Sequence, residues 1–289
     1  MQKLVLLLIT SSCLIFGQDY KFLKDFGQFK NAAAISVTQG WNIFVSDIDK
    51  NEIYKFDENW KRLHYIGGFG WNKEAFDEPI DLFATPLNIY VADKNNNRIQ
   101  IFDRELNFLS IFQTHESEAD ELSFNYPSCV AISSLGDLFI LDSDNNRILK
   151  YDLNGNFLQQ IGNFDSGSFK LNNPLKFSIS RDGRIFVLDG NQVIVFDQFG
   201  NGISKIKVEE DIKNISIYDY NLTLTSDHKL LIIDLKNLSN GFSEFVPSQL
   251  NDDEFITDSA LLQNKLYILT KSRILEFIAN KWHLIKEQK

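Results

Sequence analysis

Apolar residues in this chain come in short runs, four or five long, rich in Ile, Leu, Val, Phe and Tyr and bounded by polar turns. Such runs suit half-buried strands, because β-branched and aromatic side chains pack well on a pleated surface. No long Ala/Glu/Lys/Leu stretch with a helical period interrupts them. The pattern predicts an all-β chain of many short strands.

The runs also repeat. IFVSDIDKNEIYKFD (43–57), IYVADKNNNRIQIFD (89–103), LFILDSDNNRILKYD (138–152) and IFVLDGNQVIVFD (185–197) align, and their first aspartates, Asp47, Asp93, Asp142 and Asp189, lie 46, 49 and 47 residues apart. Fainter copies follow at 222–234 and 266–278. A period of about 45 residues is that of a four-stranded propeller blade. Each unit reads as an inner strand after a Pro (Pro127, Pro174), a glycine turn (Gly136, Gly183), a strand ending in the marker Asp and a strand ending in Phe/Tyr-Asp. An outer strand such as FLQQIG (157–162) completes it. Long connections are expected at 67–78, 113–126 and 163–173.

NNNRIQIFD and DNNRILKYD, with Pro upstream and NFL…IG downstream, resemble the NHL repeat. The resemblance spans roughly residues 20–285 and is strongest in the second and third units. It implies a six-bladed β-propeller of four-stranded antiparallel blades, with TolB-like architecture, forming one domain over 18–289. NHL propellers serve as RNA binders, protein scaffolds, sensor domains and metal-dependent lyases, so the resemblance narrows the fold more than the function. Ring closure is expected from 21–27 pairing with Arg273–Ile278 as the outer strand of the last blade, which would hide an open edge. A second outer-strand candidate, 281–286, would add outside it or lie across it.

Composition changes the picture in two ways. Residues 1–17, MQKLVLLLITSSCLIFG, combine Lys3, an apolar run and a small residue before Gln18, which is the grammar of a secretory signal peptide. The expected address is secreted, periplasmic or cell envelope. Thr10-Ser11-Ser12-Cys13 offers a lipid-anchored alternative at Cys13. The net charge is −10, and removing Lys3 makes it one unit more negative. Nucleic-acid binding draws on Lys and Arg neutralising phosphates, so no nucleic-acid partner is expected. Beyond the signal only Cys129 remains, read as an inert core thiol, and a monomer is expected.

Candidate chemistry is sparse. Asp142-x-Asp144-x-Asn146 and Asp47-x-Asp49-x-Asn51 imitate the start of a Ca2+ loop, but Arg147 and Glu52 occupy the sixth position where Gly is needed. The Asp93/Arg98 and Asp142/Arg147 pairs are read instead as turn-tying ion pairs. Zinc lyases of this fold use histidines, yet His64, His115, His228 and His283 do not recur at one level of the repeat. No cofactor is predicted, Ca2+ and Zn2+ being the ions the sequence comes nearest to holding, and no catalytic residue is assigned. Asp219 and Asp227 are read as solvated carboxylates.

Two constellations remain. Two residues past the blade-opening Pro lie Asp81, Cys129 and Lys176, and the alignment extends the ring to Asn214 and Asp258. These line the channel, where they would hold a small polar ligand or leave Lys176 neutralising carboxylates. The long loops carry Phe69, Trp71, Phe76, His115, Phe124, Tyr126, Phe164 and Phe169 on one face, with Glu116, Glu118 and Asp120. Phe76 and Phe124 are expected to plug seams between blades, whereas Trp71, His115 and Tyr126 form a candidate partner-binding face. The leading expectation is a noncatalytic extracytoplasmic binding or scaffold propeller engaging a protein or other ligand. The alternative is a metal-dependent hydrolase or lyase using the channel.

Overall fold

The computed structural model describes residues 20–114 and 122–279. Strand β1 (Tyr20–Phe26) precedes the first blade, β2 (Ala32–Val37), β3 (Ile43–Asp47), β4 (Glu52–Phe56) and β5 (Arg62–Gly67). Blade 2 is β6 (Pro79–Ala84), β7 (Asn88–Asp93), β8 (Arg98–Asp103) and β9 (Phe108–Phe112). Blade 3 is β10 (Pro127–Ile132), β11 (Leu138–Asp142), β12 (Arg147–Tyr151) and β13 (Phe157–Ile161). Blade 4 is β14 (Pro174–Ile179), β15 (Ile185–Asp189), β16 (Gln192–Phe196) and β17 (Gly202–Lys207). Blade 5 is β18 (Ile212–Tyr218), β19 (Asn221–Ser226), β20 (Leu230–Asp234) and the short β21 (Ser243–Phe245). Blade 6 is β22 (Ile256–Leu262), β23 (Lys265–Thr270) and β24 (Ile274–Ala279), completed by β1.

All six sheets are four-stranded and antiparallel, and the inner strands touch in a closed cycle β2, β6, β10, β14, β18, β22 and back to β2. The chain is a six-bladed β-propeller. Closure follows the sequence expectation for 21–27: Phe22 pairs with Phe277 and Phe26 with Ile274. Residues 281–286, the signal segment 1–17 and Cys13 lie outside the described residues.

Alternation along each strand explains the seams. Ile185 and Val187 face one neighbour, in a cluster with Phe139, Leu141 and Ile148 of blade 3, whereas Phe186 and Leu188 face the other, with Ile215 and Leu224 of blade 5. The second and third strands of a blade are thus buried on both faces, which is why their sequences show runs rather than strict alternation, whereas an outer strand such as β5 is largely exposed. Each fully buried Ile, Leu or Phe contributes about 1.5–3 kcal/mol. Phe76 and Phe124 are buried in the seams between blades 1 and 2 and blades 2 and 3, as their places before Pro79 and Pro127 predict.

The marker Asp anchors the loop entering its own blade. Asp47 accepts the backbone N–H groups of Lys30 (2.7 Å) and Asn31 (3.1 Å), Asp93 that of Asp77 (2.8 Å), and Asp142 that of Asn125 (3.0 Å). Asp189 takes those of Asn172 (2.9 Å) and Asn173 (2.6 Å). Blades 5 and 6 lack this Asp and carry Ser226 and Thr270 instead. Their carboxylates come from the loops: Glu210 pairs with Lys229 at 2.8 Å, and Glu254 with Arg273 at 2.6 Å. In the two faint repeats an ion pair between loop carboxylate and turn cation stands in place of that anchor.

Outer strands end in glycine where side chains crowd. Gly162 has φ +74°, and a Cβ there would lie 2.4 Å from Cγ of the buried Leu171. Gly162→Ala is expected to lower unfolding free energy by about 1–3 kcal/mol. Gly40→Ala, where no contact is closer than 3.5 Å, should stay within about 0.5 kcal/mol of wild type in the same urea titrations.

Candidate functional site

The channel positions are brought to one level by a shared irregularity. In every inner strand the register skips one residue just before the channel position: Ile80 before Asp81, Ser128 before Cys129, Leu175 before Lys176, Lys213 before Asn214 and Thr257 before Asp258. The sixth member is Ala34, preceded by Ala33; its blade opens with Ala32, as blades 5 and 6 open with Ile212 and Ile256, and Ala34 has no polar group to mark it in the sequence.

These side chains mainly stitch blades together. Asp81 Oδ2 accepts the N–H of Val130 (3.0 Å), and Asp258 Oδ2 that of Ile35 (3.1 Å). The Cys129 thiol donates to the Phe177 carbonyl (3.4 Å), and Asn214 Nδ2 donates to that of Thr257 (3.4 Å). Ala34 has no polar group and Lys176 points elsewhere. In those two blades a serine two residues on makes the stitch: Ser36 Oγ accepts from Ala84, and Ser178 Oγ from Ile217, each at 3.0 Å. All six seams therefore carry a side-chain-to-backbone bond near the axis.

Lys176 of blade 4 spans the channel. Its Nζ lies 3.1 Å from Asp81 Oδ1 of blade 2 and 3.1 Å from Asp258 Oδ2 of blade 6, clasping alternate blades. Burial favours the neutral amine, but the carboxylates of Asp258 and Asp81 outweigh it and hold the lysine above its usual range. Burial raises the Asp258 carboxyl, against the pull of Lys176 and the Ile35 N–H. Burial likewise pushes the Cys129 thiol well up, matching the inert reading. Asn214 Oδ1 and Asp81 Oδ1 are buried without a hydrogen-bond partner, the latter within ion-pair distance of Lys176, and the remaining polar atoms of the cluster are committed to one another or to backbone. Among the described residues no group of three His, Cys, Asp or Glu stands close enough to hold a metal.

Lys176→Met leaves two buried carboxylates without their cation and should cost about 3–5 kcal/mol near pH 8. The sign follows from the shifts. Asp258 has a raised folded pKa, so its contribution fades as pH rises through that value, and losing Lys176 raises it further. The raised Lys176 keeps its own contribution across that range and loses it only in strong alkali. The deficit of the variant, from urea melts at pH 4.5 and pH 8, should therefore be smaller at the acid end.

The second constellation is the loop face. Connections between blades and the turns joining second to third strands emerge on the same side of the disc, because strand direction alternates. Trp71 is 77 % exposed, Phe69 73 %, Phe164 81 % and Tyr126 46 %. These rings stand on a fixed frame. Arg98 donates through Nε to Asp93 (2.7 Å), through Nη1 to the Trp71 carbonyl (2.6 Å) and through Nη2 to those of Asn72 (3.0 Å) and Ala75 (2.9 Å). Gln100 adds bonds to the Ala75 carbonyl (2.6 Å) and the Glu74 N–H (3.0 Å). Tyr126 is held at φ +48° by its N–H to Asn97 Oδ1 (2.7 Å) and its carbonyl from Ser143 Oγ (2.6 Å). Arg147, the counterpart of Arg98, binds Asp142 and the Ser123 carbonyl, each at 2.8 Å. The turn-tying reading of these pairs extends to the loops themselves. His115, Glu116, Glu118 and Asp120 lie outside the described residues.

The NHL repeat family model matches residues 124–151, the stretch of blade 3 holding the Asp142/Arg147 anchor. Protein brain tumor of Drosophila melanogaster is 33 % identical over 146 residues, 48 % of this chain and 13 % of that protein, so the match covers a small part of that relative. Virginiamycin B lyase from Staphylococcus aureus shares the fold with a TM-score of 0.61 at 10 % identity, covering 90 % of this chain and 99 % of that one. A gluconolactonase from Xanthomonas campestris does so with a TM-score of 0.66 at 11 % identity, covering 90 % and 89 %. At such identities these two structures speak to the fold alone. The repeat match in blade 3, the Drosophila relative and the six-bladed ring together support an NHL-repeat β-propeller.

Proposed function

We propose that this propeller is a noncatalytic binding or scaffold module working outside the cytoplasm, with a protein as its partner and the loop face as its contact surface. The observation that carries this reading is Trp71: a large ring 77 % exposed on a backbone pinned by Arg98 and Gln100. An aromatic ring offered on a rigid loop gives contact area at little ordering cost, which is how interface anchors work. Phe69, Tyr126 and Phe164 extend the surface. The channel supports a ligand less well, because Lys176 already satisfies the two carboxylates that would recognise one.

Export is supported by residues 1–17, and among the described residues no helix is long and apolar enough to cross a membrane. The net charge of −10 supports a partner other than nucleic acid.

The test is capture by cross-linking in the native extracellular fluid or envelope fraction, with wild type beside Trp71→Ala and Phe164→Ala. A partner should be recovered with wild type and reduced about thirtyfold by Trp71→Ala, the effect of a 2 kcal/mol anchor, with the melting temperature unchanged. Equal recovery with both variants would sink the loop-face reading. The secreted protein should begin at Gln18, and a chain retaining its first seventeen residues would remove the exported address.

A further inference from the structure

Where the closing strand meets blade 1, the rim of the disc holds a groove of about 530 Å³. Its lining comes from β1 and the residues after it, from β4 and β5, and from Arg273. Such a volume lies within the range of small-molecule sites.

The floor is aromatic: Tyr54 and Phe56 are buried, stacked with centroids 6.3 Å apart, and Phe26 meets Phe56 edge-on at 5.6 Å. Trp60 forms a wall in a fixed orientation. Its indole N–H donates to Glu276, a buried carboxylate that also pairs with Lys265 at 2.7 Å. Over this floor stand two cations: the Lys24 ammonium is 4.8 Å from the Trp60 ring, and the Arg62 guanidinium is 5.9 Å from Tyr54 and 5.5 Å from Tyr65.

Within this groove the cations outnumber the carboxylates. Asp25, the only carboxylate in the lining, is taken by Arg273 at 2.6 Å, and Arg273 is further held by Glu254. Lys24 and Arg62 have no carboxylate partner among the described residues, although the chain carries a net charge of −10. Glu52, just beyond the lining, is engaged by the Tyr54 hydroxyl. Two free cations above an aromatic floor suit an anion on a flat apolar body: the charge meets Lys24 and Arg62 while the ring covers Trp60 and Tyr54.

We propose that this groove is a binding site for a small aryl anion, an aryl carboxylate or aryl phosphate. A ligand there would touch β1 and blade 1 together, so occupancy would also stabilise ring closure. The site is separate from the loop face of the preceding section.

Phenyl phosphate serves as the probe, titrated into the full chain and followed by calorimetry and by the Trp60 indole N–H resonance. One-to-one saturable binding is expected, weakened by added salt and at least about tenfold weaker in the folded double variant Lys24→Glu/Arg62→Glu. Benzylamine should leave the Trp60 resonance in place, and Trp71→Ala should bind as wild type does. Two results overturn the proposal: no shift of the Trp60 resonance up to about 20 mM phenyl phosphate, or equal affinity in a double variant whose melting temperature matches wild type.

Discussion

The interaction on which this structure depends is the carboxylate that catches the backbone N–H groups of the loop entering a blade. A loop crossing from an outer strand to the next inner strand leaves backbone groups with no strand to pair with. Asp47, Asp93, Asp142 and Asp189 satisfy them from within the same blade, and Glu210 and Glu254 supply the charge in the last two. Arg98 and Arg147 then balance the charge of the buried aspartates and reach on to loop carbonyls. One anchored turn, repeated around the ring, both builds the blade and fixes the surface that the blade presents.

A second constraint acts at the axis. The skipped residue in each inner strand sets one side chain toward the axis; Asp81, Cys129, Asn214 and Asp258 close four seams with bonds to backbone, and Ser36 and Ser178 close the other two. Lys176 uses the same position to reach across the channel instead. A buried charge tied to two carboxylates from alternate blades is more valuable as a clasp than as a recognition group, since any ligand must first displace those ion pairs. The polar character that made Asp81, Lys176, Asn214 and Asp258 attractive as a ligand site is thus largely consumed in holding the propeller together.

The fold was legible because the anchor leaves a mark: Asp-x-x-x-x-Arg in blades 2 and 3 is one device with both partners close in sequence. The mark fades in blades 5 and 6 because Glu210 and Glu254 sit in loops, 19 residues before their Lys229 and Arg273 partners. Exposure of Trp71 and burial of Phe76 were legible from their distances to Pro79. Ala34 was missed because, unlike Asn214 and Asp258 in the other blades that open without proline, it has no polar side chain. Lys176 neutralising channel carboxylates was one of the two readings its place in the repeat allowed, and its pairs with Asp81 and Asp258 bear that reading out. The groove beneath Lys24 and Arg62 was illegible because it joins residues that only ring closure brings together, as in Trp60 with Glu276, which lie 216 positions apart.

Pre-organisation of the loop face is the central claim, and amide hydrogen exchange measures it most directly. The Gly70, Phe76 and Asp77 amides, bonded to the Phe76 carbonyl, the Gly68 carbonyl and the Asp93 carboxylate, should be protected in the free protein. Asp93→Asn should release them while the strand amides of blades 3 and 4 stay slow. If these three amides already exchange at unprotected rates in the wild-type chain, the loop carrying Trp71 is not held as described and the account of this face is wrong.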